Sequence, residues 1–371
     1  MGKKLSWIRK AVFLDKFFWA PFIIEKDIAY YSDLQNKYRA LLKCAKNAGA
    51  DVESLEIIRR CSNKILEAVR RFYEGRISTS HSIIKNLIRE VTNISYAVSY
   101  VNNSRAIPGS GKEIQFFRAR TSERVVTFSP KDMLHIPFSM RGCTGNYRFS
   151  IPGIPSLYLG NSSYACWLEL MCPSEHDFYV SPVVLDGTQK IFNLAVMTRK
   201  QWGLKDCDEE AVHCWLKLLV LMMATSYVVT ENNRIFKSEY IVSQSIMLAC
   251  KELGLDGVAY YSKRVYDEIF AVAAVNVALF TKFRKGREYS EICEHLKVDE
   301  AYNYAMYKQL KPSLRAVKYS DYHLKRTGLI TNIGNYNRQF SYSDTEFCSF
   351  DQFLFATWKD KDSISFGNAI N

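Results

Sequence analysis

Between residues 28 and 101 the apolar positions recur with a helical period. Ile58, Cys61, Ile65, Val69 and Phe72 step by three or four, Asp51 stands where an N-cap belongs, and Gly75 stands where a helix stops. A second stripe, Ile84, Leu87, Ile88, Val91 and Ile94, follows Ser78 and Ser80, either of which can open a helix. The pattern predicts an α-helical N-terminal domain over residues 1–105, closed by the linker-like run Asn102-Asn103-Ser104-Arg105-Ala106-Ile107-Pro108-Gly109-Ser110-Gly111. After it the period changes. Strands are predicted over 114–120, 156–159, 178–185, 190–194, 257–261 and 272–280, with helices over 162–171, 208–229 and 239–253 between them. The alternation lacks the Gly-rich rhythm of a dinucleotide-binding Rossmann domain, so it predicts an α+β domain with a mixed β-sheet over residues 113–282. Residues 283–371 begin basic and helical and end rich in Tyr, Phe, Asp and Ser. Their periodicity does not decide between a separate domain and a wrap on the core.

The length of 371 residues fits about two domains at roughly 150 residues each. Hydrophobic residues at 48% and charged ones at 24% are globular proportions, which excludes general disorder and fibrous architectures. Of the net charge of +12, residues 1–105 carry nine, from 19 Lys/Arg against 10 Asp/Glu. Such a basic segment fits an acidic partner, anionic lipid or nucleic acid. Because these helices lack a helix-turn-helix pattern and aromatic interleaving, nucleic acid is the least supported of the three. Ten cysteines without CxxC spacing, several in apolar runs, fit reduced thiols in a cytoplasmic protein. Cys207, His213 and Cys214 form the densest Cys/His group. Adjacent side chains diverge and no fourth ligand lies near, so no metal site is expected. No apolar run approaches the about 20 residues a spanning helix needs, so no membrane span is expected.

Gly109-Ser110-Gly111-Lys112 fails as a phosphate loop, because Ala106 and Glu113 stand where Gly and Ser/Thr are required and a strand follows. The segment from Asn146 onward is more informative. Two prolines around Gly153 fix a tight loop that feeds a short strand ending at Gly160. Asn161 or Ser162 then caps a helix that carries Glu169 beside Cys166 and Trp167.

Three segments together, Phe117-Arg118-Ala119-Arg120, Arg148-Phe149-Ser150-Ile151-Pro152-Gly153-Ile154-Pro155-Ser156-Leu157-Tyr158-Leu159 and Cys166-Trp167-Leu168-Glu169, resemble the RES-domain family. Tyr240-Ile241-Val242-Ser243-Gln244 and Leu255-Asp256-Gly257-Val258-Ala259-Tyr260-Tyr261-Ser262 extend the likeness over about 113–282. The resemblance implies an ADP-ribosyltransferase-like core and a bacterial toxin or defence effector that arrests growth by depleting NAD. In such proteins the nicotinamide–ribose bond is cleaved with water or phosphate, and a helix-turn-helix antitoxin commonly holds the enzyme in check. NAD is then the substrate, and no further cofactor is implied. The catalytic residues implied are Glu169, facing an oxocarbenium-like state, with Arg118 and Ser243. NAD binding falls to Arg118, Arg120, Arg148, Tyr158, Tyr240 and Gln244, with Arg118 holding the pyrophosphate by its planar fork. The family loop has Trp-Asn where Phe149-Ser150 stand here, and either Ser243 or Gln244 fills the third catalytic position. Transfer of ADP-ribose to a macromolecule, or a catalytically silent binding module on the same fold, are the alternatives. An antitoxin or regulatory protein and a second copy of the chain are the candidate partners, with residues 1–105 as the regulatory or interaction domain.

Overall fold

The structure is a computed structural model that describes residues 7, 18, 20–24, 29–92, 98–100, 114–195, 209–231, 233–264, 274–311, 329–330, 340–342, 345–359 and 365–370. Its helices are α1 (Ala29–Asn47), α2 (Val52–Tyr73), α3 (Ile77–Thr92), α4 (Ser163–Glu169), α5 (Glu209–Ala224), α6 (Ile241–Glu252), α7 (Tyr304–Leu310) and α8 (Glu346–Lys359). The longer strands are β1 (Val98–Tyr100), β2 (Ile114–Thr121), β3 (Ser156–Gly160), β4 (Phe178–Leu185), β5 (Lys190–Asn193), β6 (Gly257–Tyr261), β7 (Val275–Phe280) and β8 (Leu296–Val298), followed by the two-residue β9 (Tyr302–Asn303). Helices with a multi-strand sheet make the class α+β, as the pattern predicts. Among the described residues no helix is long and apolar enough to cross a membrane. The linker at 102–111 and Ile94 lie outside the described residues.

Contacts divide the chain into two compact units. The first comprises Met1–Ser99, Gly145–Ile151 and Ile191–Val258. The second comprises Tyr100–Thr144, Pro152–Lys190 and Ala259–Asn371.

In the first unit, α2 forms where its stripe predicts. The Asp51 carboxylate accepts from Ser54 N at 2.7 Å, and Gly75 (φ 76°) ends the helix with bonds from Gly75 N to Phe72 O and from Arg76 N to Arg71 O. Ile58, Cys61, Ile65 and Val69 are fully buried. Helix α3 opens at Ile77, one to three residues earlier than expected, and buries Ile84, Leu87, Ile88 and Val91. These helices pack against α5 and α6, so the segment expected as a separate helical domain shares its unit with residues 191–258. Helix α5 is apolar nearly all round and correspondingly buried. Tyr30 and Tyr38 donate their hydroxyls at 2.8 Å to the carbonyls of Ala224, the last residue of α5, and Val220, one turn before it. Most of the basic side chains of α2 are paired locally: Arg59 with Glu56, Arg60 and Lys64 with Glu90, Arg70 and Arg71 with Glu67 and Glu74.

In the second unit the sheet runs, beyond the end of β6, in the order β7-β3-β2-β4-β8, with β9 also on β4. The ladders joining β2, β3, β4, β7, β8 and β9 are antiparallel. β2 and β4 pair along eight positions, from Ile114↔Leu185 to Thr121↔Phe178, whereas β2 and β3 share one pair, Phe117↔Gly160. Phe117, Phe178, Val180 and Val184 build a core with Cys166 of α4, Tyr304 and Tyr307 of α7, and Phe350, Phe353 and Leu354 of α8. Tyr304, Tyr307, Phe350, Phe353 and Leu354 of residues 283–371 thus contribute to this core, and β8 and β9 to its sheet.

Candidate functional site

Glu169 is the last residue of α4, a helix of seven residues that is too short to hold itself together in water. Its ends are fixed from outside. At the start, Ser162 Oγ accepts from Ala165 N at 3.0 Å, and the Asp351 carboxylate accepts from Ser163 N at 3.0 Å. At the finish, Met171 (φ 68°) and Cys172 (φ 54°) enter the left-handed region, with Met171 N bonded to Leu168 O and Cys172 N to Trp167 O, both at 3.0 Å. That is a Schellman reversal made without glycine, and it stores strain immediately beyond Glu169. Trp167 Nε1 donates to Pro173 O at 3.0 Å and clips the same turn.

The half-buried Glu169 carboxylate is held through one oxygen. Oε1 accepts from Ser262 Oγ at 2.6 Å and from Asn276 Nδ2 at 2.6 Å. Both donors are buried: Asn276 projects from β7, opposite Gly160 of β3, and Ser262 follows β6 with its N–H bonded to Ala274 O. Two short hydrogen bonds to one oxygen fix the carboxylate's position. Among the described residues, Oε2 accepts no hydrogen bond.

Arg118 lies mid-strand on β2, across from Ser181 of β4. Its Nη1 donates to Tyr158 O at 2.9 Å, so the guanidinium bridges β2 to β3 next to their single paired position. Tyr158 is engaged there through its carbonyl. Arg120, two residues on, points to the same side of the strand by period two. Burial draws its guanidinium below the ordinary value, while Asp132 and Tyr289 act in the opposite sense. Both Arg118 and Glu169 act electrostatically on the Cys166 thiol, which burial pushes up to about 12. The thiol is therefore a neutral donor, bonded to Phe117 O.

The other four residues named from the sequence fall in the first unit. Arg148, buried, donates from Nη1 to Thr225 O at 2.7 Å and from Nη2 to Tyr227 O at 2.5 Å, just beyond the C-terminus of α5, where a cation suits the helix dipole. Its guanidinium lies 5.0 Å from the centroid of the Tyr240 ring. Gln244 Nε2 donates to Asn146 Oδ1 at 2.7 Å, Tyr147 O at 3.1 Å and Ser150 O at 3.2 Å, pinning the loop that carries Arg148. Ser243 is fully buried, and among the described residues its Oγ has no hydrogen-bond partner. The structure thus brings Arg118 and Tyr158 together, and Arg148 with Tyr240; Glu169 meets two residues that the sequence did not single out. Asn276 had a signal, as the polar interruption in an otherwise apolar strand. Ser262 had a weaker one, as the end of the Leu255-to-Ser262 stretch.

For metals, Glu53, Glu209 and His213 place ligand atoms within 4.8 Å of one another in the first unit. His213 Nδ1 stands 3.4 Å from Glu53 Oε1. The two glutamates occupy the first turns of α2 and α5, where acidic residues suit the helix dipole and a cation does not. Cys214 is buried, its thiol pushed up to about 12, and Cys207 lies outside the described residues.

No family model matches the chain, and no solved structure matches it. The chain is similar to the Bacillus subtilis (strain 168) protein named "Putative toxin YopC", at 30% identity over 253 residues, which are 64% of this chain and 56% of the relative. The chain thus spans little more than half the length of the curated protein it matches.

Proposed function

We propose that the chain is an NAD-cleaving enzyme, with a RES-like, ADP-ribosyltransferase-like core, that acts as a toxin restrained by an antitoxin. The observation that carries this reading is the Glu169 carboxylate held by Ser262 and Asn276 at the end of a clamped helix. The Bacillus subtilis relative, whose name carries the word toxin, supports the physiological part.

In this mechanism the bond between the ribose anomeric carbon and the nicotinamide nitrogen breaks, and its electron pair stays on the pyridine nitrogen, which leaves as neutral nicotinamide. The ribosyl cation left behind is stabilised by the fixed negative charge of Glu169, and water or phosphate forms the new bond at the same carbon. With water, the products are nicotinamide, ADP-ribose and one proton. Arg118 binds the pyrophosphate, with Arg120 beside it. Arg148 and Gln244 serve the loop at 146–150. Induced expression of the chain and of Glu169→Gln at equal folded levels, with cellular NAD measured, tests the reading. Loss of NAD and growth arrest with the parent chain alone are expected. Unchanged NAD with the parent would overturn it.

A further inference from the structure

Helix α8 packs against α4. Ala165 and Leu168 pack with Tyr342 and Cys348, and Phe347 lies against the rings of Tyr164 (centroids 5.3 Å apart) and Trp167 (5.6 Å). Within this apolar contact sits a fully buried carboxylate, Asp351. One oxygen accepts from Ser163 N at 3.0 Å, at the first residue of α4; the other accepts from Tyr342 OH at 2.7 Å. A buried charge is costly unless well bonded, so apolar packing alone does not account for an aspartate here. A negative group at a helix N-terminus fixes that terminus through an otherwise unpaired N–H. The opposite end of the same helix carries Glu169, followed by the left-handed pair Met171 and Cys172.

We propose that Asp351 is a positioning residue for Glu169: α8 holds α4 through the Tyr342–Asp351–Ser163 connection and so sets where the carboxylate meets Ser262 and Asn276. The inference rests on the proposed function for its catalytic consequence and on geometry for its mechanical one. Asp351→Asn keeps an acceptor for Ser163 N but removes the charge, and Tyr342→Phe removes the hydroxyl that anchors the second oxygen. The experiment follows two quantities in the full chain: nicotinamide release from NAD, and backbone hydrogen exchange over residues 163–172. Both variants should exchange about tenfold faster over that segment and lose about tenfold in kcat, with KM for NAD unchanged, because the affected group acts on the transition state. Folded variants with exchange and kcat within twofold of the parent overturn the proposal. If Asp351→Asn does not fold, Tyr342→Phe decides alone. If the parent releases no nicotinamide, the NAD reading fails, and the exchange rates still decide whether Asp351 holds the helix.

Discussion

Ser262 Oγ donates to Glu169 Oε1 across 2.6 Å, linking residues 93 positions apart in the chain. Asn276 adds a second donor to the same oxygen, also at 2.6 Å. The carboxylate is thereby an oriented group whose neighbours belong to or adjoin the sheet. A group meant to stabilise a developing cation needs such preorganisation, because reorientation during the reaction would cost what the charge contributes.

Ser262→Ala should lower kcat for NAD cleavage by about tenfold or more, since a hydrogen bond to a charged group is worth about 1.5–3 kcal/mol. KM should change little, and the fold should persist because Asn276 still holds Oε1. Steady-state kinetics check this; a rise in KM at constant kcat would move Ser262 from orienting the carboxylate to binding substrate.

Arg118→Lys should raise KM for NAD more than it lowers kcat. An ammonium has no fork to span the pyrophosphate and Tyr158 O together, and pyrophosphate binding is a ground-state contribution. A defect confined to kcat would instead place Arg118 at the reacting carbon. Arg120→Lys, measured in parallel, shows which arginine carries the binding.

Met171→Gly should stabilise the protein by about 0.5–1 kcal/mol, because glycine adopts a φ of 68° without the steric cost that methionine bears. Denaturant unfolding reports it. A destabilised variant would show that the Met171 side chain contributes more than its backbone costs.

His135 sets a pH dependence. Its Nε2 accepts from Ser290 N at 2.9 Å, and its Nδ1 lies 2.7 Å from Ile136 O, so the neutral ring is held in one tautomer. Burial, the larger cause, and the charge of Arg118 lower its pKa from the ordinary 6.5. Above that value both folded and unfolded states carry a neutral ring, and the contribution to stability is complete. As pH falls below it, the unfolded state takes up the proton first, and stability is lost until the depressed folded value is passed. Melting temperature should therefore fall between pH 7 and 5 by more in the parent than in His135→Gln. Parallel curves for the two proteins would contradict this.

Much of the fold was legible in local pattern. The stripe of α2, its Asp51 cap and its Gly75 stop appear where predicted, because each depends on neighbours within one or two turns. β4 and β6 match their apolar runs for the same reason. What escaped the sequence is non-local. Asp351 is a polar residue inside the aromatic run of α8, and no local pattern shows that it is buried against the start of α4. Arg148 reads as a substrate ligand in isolation, yet two of its guanidinium nitrogens bond backbone carbonyls nearly 80 residues away, at Thr225 and Tyr227. Glu169 was legible as a candidate, and Asn276 as a polar residue in an apolar strand; that Asn276 and Ser262 meet Glu169 was not legible, because the contact joins residues 107 and 93 positions apart.

The most direct test is to incubate the purified full chain with NAD, in buffer with and without phosphate, and to follow nicotinamide release beside Glu169→Gln. The account predicts continuous release by the parent chain and a loss of about two to three decades in kcat for the folded variant. A folded parent that leaves NAD intact, or a Glu169→Gln variant that releases nicotinamide at the parent rate, would contradict it.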